Sequence, residues 1–211
     1  MAFDFLDKNL NKVFDSGDIE QNSLKYLISK KLDEGFMGYI IETNGGFYFN
    51  NSLQLYGLSD ILKFHDISSV NKALIDLYGV AFDGLCAFGQ DIFGNQFVFD
   101  AGKVGFFNIE TTEYELIANS FTDWINEIGS DLDYYTGHLL IHEWVKSGHK
   151  SLDFHERLCP KIPFIIGGEY SVQNLYPLPF PKFLETNANI ANQIKDLPDG
   201  TEIRLNTTKK S

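Results

Sequence analysis

Between Leu85 and Ile117 four short apolar segments follow one another with barely room for a turn between them: Leu85–Gly89, Ile92–Asp100, Val104–Thr111 and Tyr114–Ile117. Their period is two, and Phe97 and Phe99 fall on one face of the second. The Asp91–Asn95 stretch holds the Gly and Asn that a tight hairpin requires. Strands joined this closely pair antiparallel, because a parallel crossover needs about a dozen residues or more. Around this block the pattern is helical, which sets the class as α+β, a mostly antiparallel sheet with packed helices.

Upstream, Ser16 or Asp18 can cap a helix whose apolar positions are Ile19, Leu24, Leu27 and Ile28. A second helix runs from about Asp33, with Phe36, Met37, Tyr39, Ile40 and Ile41 on its buried side. It stops at Thr43-Asn44-Gly45-Gly46, residues that accept the left-handed conformation. The first forty residues thus read as helical. GFYFN and SLQLYG then read as strands, and Ser59–Phe64 and Ser68–Tyr78 as helices, the latter burying Val70, Leu74 and Leu77. Downstream, Ser120 caps SFTDWINEIG with Asp123 at the third helical position. A longer helix is expected from about Tyr134 to Lys146, and a strand in PFIIGGEY. Pro177, Pro179 and Pro181 mark a rigid extended stretch. A short helix near Asn187–Lys195 and a strand at Thr201–Leu205 complete the expectation.

The chain carries 29 acidic and 17 basic side chains, a net charge of −12. Eleven acidic residues and one basic residue, Lys103, lie between Asp76 and Asp133, so this quarter of the sequence holds −10 of the total. Such a balance excludes a phosphate backbone or an anionic membrane as direct ligand, since both select clustered Lys and Arg. It leaves a basic protein partner open. Cys86 and Cys159 sit among apolar neighbours and read as buried thiols, not a disulfide framework. MAFDFLDKNL puts Asp4 and Asp7 where a signal peptide needs positive charge, and no apolar run approaches the length of a membrane span, so a cytoplasmic protein is expected.

The helix ending in IIETNGG, followed by FYFNNSLQLYGL, resembles the opening of the SUKH superfamily, named in part for the yeast cell-wall assembly regulators of the Smi/Knr type. LCAFGQDIFGNQFVFD and VGFFNIETTEYELIANSFTDWI are similar to that family's strand–turn–strand core and closing helix, at Phe88, Phe93, Phe97, Phe99, Phe121 and Trp124. The resemblance divides the chain into a SUKH-like core at 19–130, a C-terminal extension at 131–205 packed on it, and a frayed tail at 206–211. It implies non-enzymatic binding: many bacterial members are similar to immunity proteins that neutralise toxins, often nucleases or deaminases, in the cytoplasm. The alternative within the family is a regulatory scaffold that binds endogenous partners. No catalytic residue and no cofactor carries over.

The most tempting chemistry is His138 and His142, four apart on one side of the expected helix. A zinc site would need third and fourth ligands, and Glu143 does not stand where a metalloprotease needs it. The pair reads instead as boundary histidines of an amphipathic helix, and no metal is assigned. GQDIFGN lacks the Lys and Ser/Thr of a phosphate loop, and IIGGEY reads as a bulge or close backbone approach. The residues expected to meet a cognate, basic toxin are Asp83, Asp91, Asp100, Glu110, Glu113 and Glu115 at strand ends and turns, with Asp123, Glu127, Asp131 and Asp133 on or after the following helix.

Overall fold

The computed structural model describes residues 3–11, 19–30, 32–59, 62–198 and 201. Its centre is a seven-stranded antiparallel meander in sequence order: β1 (Leu10–Asn11), β2 (Gly46–Tyr48), β3 (Leu53–Leu55), β4 (Cys86–Gln90), β5 (Gln96–Asp100), β6 (Lys103–Phe107) and β7 (Tyr114–Ala118). The class expected from the sequence is therefore the one observed. Each expected strand of the Leu85–Ile117 block is present, the second and third shortened where the chain turns and the first and last displaced or extended by one residue.

The pleat sorts the side chains onto two faces. On one, Phe88, Phe97 and Phe99 meet Phe36 of α3 (Glu34–Thr43) and Phe121 and Trp124 of α5 (Phe121–Ser130), with ring centroids 4.6–5.7 Å apart in most pairs. On the other, Phe107 takes the rings of Phe82 and Tyr78 edge-on at 5.2 and 5.4 Å. Tyr78 closes α4 (Ile67–Tyr78), and α8 (Lys182–Ile194) packs behind that helix. All six Phe and Trp positions of the first face are buried, and rings at these separations gain from edge-to-face attraction beyond area burial.

The local signals explain most helix ends. Ser120 Oγ accepts from the Asp123 N–H at 3.1 Å, and Asp66 from the Ser69 N–H at 2.8 Å. Asn44, at φ 56°, ends α3 in the left-handed conformation. Asn71 of α4 serves the sheet instead. Beyond the short β3, the backbone of Ala87 has no strand on that side, and the Asn71 amide takes its N–H and C=O at 2.8 Å each.

Several expectations are corrected. The capping choices Ser16 and Asp18 lie outside the described residues; α2 (Gln21–Ser29) is capped by Glu20, which accepts from the Ser23 N–H. Ile28 and Ile41 are exposed, each one residue past the buried side of its helix. The opening segment is not wholly helical, since α1 (Phe3–Asp7) gives way to β1, whose pairing with β2 extends the sheet. Of the helix expected at Ser59–Phe64, residues 60 and 61 lie outside the described residues, and 62–64 form a turn, tied back by the Gly57 N–H to the His65 carbonyl at 2.8 Å. The single helix expected from Tyr134 to Lys146 is two, α6 (Leu132–Thr136) and α7 (His138–Lys146), broken at Gly137. Gly137 has φ 67°, and a Cβ there would stand 2.6 Å from Ile92 Cγ2, so tertiary packing imposes the break.

PFIIGGEY is not a strand. The strand precedes it as β8 (Glu156–Pro160) and pairs with β9 (Leu175–Pro179), while Phe164–Ile166 makes one 3-10 turn between Pro163 and a left-handed Gly167. Pro177 and Pro179 are tolerated because the sheet has only two strands, both edges. Helix α8 starts well before Asn187, at Lys182. Of the expected Thr201–Leu205 strand only Thr201 is described, and 206–211 lie outside the described residues.

Two apolar clusters result. The larger lines both faces of the meander and includes Cys159, Phe183, Leu184, Ala188 and Ala191 from beyond residue 130. The smaller gathers Ile92, Ile141, Trp144, Leu152, Leu158, Val172 and Leu175. Both cysteines are buried free thiols, and burial pushes Cys86 up to about 11 and Cys159 up to about 12.

Candidate functional site

The hairpin ends of β4–β5 and β6–β7 open beside α6 and the 3-10 turn at Phe164–Ile166. A groove of about 520 Å³ forms there, with Phe106, Glu113, Tyr114, Glu115 and Ile117 on its sheet side. Tyr134 and Tyr135 of α6 and Tyr170 make the opposite wall, and Asp91 lies in its lining. A second hollow of about 240 Å³ continues it past Phe93, Asn95, Asn108, Glu113 and Tyr170 toward Glu110 and Phe164. Among the described residues no Lys or Arg lines either part. The wall is aromatic and the charge on it is negative.

Local chemistry sets the ends of this groove. Asp91 Oδ1 accepts from the N–H groups of Phe93 and Asn95 at 2.8 Å, and Oδ2 from Asn95 Nδ2 at 2.8 Å, which shapes the tight turn. Glu110 Oε1 accepts from the Ile165 N–H at 2.6 Å and so ties the 3-10 turn to the sheet. Both carboxyls are buried, and burial pushes Asp91 up to about 7 and Glu110 upward. Phe164 stacks on Tyr170 at 3.9 Å, and Phe93 meets both edge-on. Tyr135 is pushed up by burial first and then by Glu127, Glu115 and Asp131, while Tyr170 is pushed up by burial and by Glu110 and Asp91. Carboxylates thus crowd both ends of the aromatic wall.

The structure divides the ten expected acidic residues. Asp91, Glu110, Glu113 and Glu115 line the groove, and Glu127 and Asp131 act on Tyr135 at its edge. Asp91 and Glu110 cannot belong to an exposed face, because each is turned inward to satisfy backbone N–H groups. Asp133 holds the Leu139 N–H at 2.7 Å beside the α6–α7 break. Asp83, Asp100 and Asp123 do not line the groove. None of the eight outside the interior forms an ion pair with another of the described residues. Sequence reasoning missed Tyr134, Tyr135, Phe164 and Tyr170; a paired tyrosine beside a surplus of acid was the available signal.

His138 and His142 converge elsewhere. Their Nε2 atoms are 3.1 Å apart, Asn50 Nδ2 is 3.2 Å from His142, and His138 Nδ1 contacts the Phe49 carbonyl at 3.2 Å. Among the described residues no group of three or more His, Cys, Asp or Glu is placed to hold a metal ion. No described helix is long and apolar enough to cross a membrane.

Comparison with curated proteins gives no match. Among solved structures, the crystal structure of Atu4351 from Agrobacterium tumefaciens is similar, with a TM-score of 0.59 and 16% identity over 81% of this chain and 80% of that one. That likeness extends to the fold. Comparison with protein families matches residues 24–127, the stretch from α2 to α5 that carries strands β2 to β7 of the meander and one groove wall, to the SMI1 / KNR4 family (SUKH-1). Through these residues the chain belongs to the SMI1 / KNR4 family (SUKH-1).

Proposed function

We propose that this protein is a non-enzymatic inhibitor, a cytoplasmic immunity protein that binds one cognate basic toxin and occludes its active surface. The observation that carries the proposal is the groove lined by Glu113, Glu115 and four tyrosines, with no neutralising cation among the described residues that line it. A Lys or Arg entering it meets carboxylates for charge and ring faces for cation–π attraction. Toxins that act on nucleic acid must themselves be basic to hold phosphates, so a blocking protein of opposite potential covers the same surface that the substrate uses. Family membership is consistent with this role.

The test is co-expression with the toxin encoded beside the gene, followed by binding kinetics across a salt series. A complex is expected whose association rate falls as salt rises, and Glu113→Lys with Glu115→Lys should slow association about tenfold or more. A complex indifferent to both, or cells left unprotected, overturns the proposal. A constant set of host partners recovered from unstressed cells would support the regulatory scaffold instead.

A further inference from the structure

We infer that the partner is held by strand addition: an extended segment of alternating basic and apolar residues pairs with the open edge of β7 as an eighth strand. The inference rests on the reading of the groove as the partner site and specifies how the partner's backbone is used. Among the described residues β7 is paired on one side only, with β6. The Asn108 N–H donates to the Glu113 carbonyl at 2.9 Å, which turns the backbone of Glu113 toward β6. In an antiparallel ladder these roles alternate, so the N–H and C=O of Tyr114 face outward.

The two edges of the sheet differ. At one end β1 has two residues among those described, a short edge of the kind that limits unwanted pairing. At the other, β7 has five, and its first three are exposed. Side chains along it alternate. Glu113 and Glu115 point to the groove side, Glu115 opposite Phe106; Leu116 points to the other, and Tyr114, opposite Phe107, alternates with the two glutamates while also bordering the groove. Leu116 is 49% exposed, and the Tyr114 ring lies over Gly105, where a Cβ would meet it at 2.2 Å.

Charge selects the occupant. A second copy of β7 would bring its own acidic row against Glu113 and Glu115, and like charges facing each other across strands repel. A strand with Lys or Arg at alternate positions reverses that sign, aims those side chains into the groove, and lays its apolar residues on Leu116 and Tyr114.

The probe is a fluorescein-labelled octapeptide alternating lysine and valine, titrated against the full chain, with two N-methylated versions. One carries methyl groups on the lysine nitrogens, the other on the valine nitrogens. Only one set of N–H groups can face β7, so one version should lose about tenfold or more in affinity and the other should bind like the parent. The Tyr114 amide should become at least about tenfold slower to exchange with deuterium when the parent binds. Tyr114→Pro, which removes that outward donor at an edge where proline is tolerated, should weaken binding with unchanged circular dichroism. Equal affinity for all three peptides, with Tyr114 exchange unchanged, overturns strand addition. If Glu113→Lys with Glu115→Lys still abolishes that binding, the groove reading survives alone; if it does not, both fail. Absence of any peptide binding, or self-association abolished by Tyr114→Pro, also overturns the inference.

Discussion

Arg157 of β8 donates through Nη2 to the side-chain oxygen of Gln54 on β3, and so joins the two-stranded sheet to the seven-stranded one inside the protein. The guanidinium is buried, lies 5.5 Å from the Phe47 ring centroid, and also donates to the Phe154 and Glu156 carbonyls. Burial lowers its pKa to about 10, which leaves it charged at neutral pH.

Arg157→Ala therefore removes a cation, takes a donor from the Gln54 oxygen and opens a cavity between the sheets. Loss of about 3–5 kcal/mol of unfolding free energy is expected, as for other buried polar pairs broken on one side. Urea denaturation measures it; a loss below about 1 kcal/mol would show that the contact is not stabilising.

Asp91 gives stability a pH dependence. Its carboxyl sits near 3.8 when unfolded and is pushed up to about 7 by burial in the fold. Between those values the folded protein keeps a proton that the unfolded chain has released. Stability must fall as pH rises from about 4 to 7 and level off above, by an amount on the order of 4 kcal/mol from this group. Asp91→Asn should lack that slope. Parallel denaturation curves for the two proteins across pH 4–8 would refute the assignment.

Asn71 stands in for a missing strand. Asn71→Ala leaves the Ala87 N–H and C=O buried without their partners, at a cost of about 3 kcal/mol, and should speed exchange of the Ala87 amide selectively. Unchanged protection at Ala87 would mean that the sheet edge closes some other way.

Gly137→Ala places a Cβ against Ile92 and Phe93 in a left-handed conformation, with an expected loss of about 1–2 kcal/mol from the backbone alone. Because Tyr134 and Tyr135 precede the break, the change should also weaken binding at the groove more than an exposed glycine such as Gly148→Ala does. Equal effects from the two would separate the helix break from the groove.

What the sequence revealed was local. Ser120 and Asp123 lie three residues apart and cap their helix wherever it packs, and Asn44 ends α3 by its own tolerance of positive φ. The aromatic strands were legible because Phe97 and Phe99 repeat at the period of the pleat. Gly137 was not, since a lone glycine inside a helical pattern is usually carried through; Ile92 and Phe93, some 45 residues away in sequence, decide otherwise. The acid was located in the right quarter of the chain, but its sorting into interior and groove was hidden. Asp91 turns inward for N–H groups two and four residues on, and Glu110 for that of Ile165. The tyrosine wall was invisible for a related reason: Tyr134 and Tyr170 reach β7 only through the way β8, β9 and α6 fold back.

The chain has two tryptophans, and each apolar cluster holds one. Trp124 is sealed among phenylalanines, whereas Trp144 stacks on His149 at 3.9 Å and donates to the Lys150 carbonyl. The protein thus carries an intrinsic fluorophore for each of its cores, the second stacked on an imidazole. Single-tryptophan variants can follow the meander and the C-terminal sheet separately through one denaturation, and so register whether the two melt together or in turn.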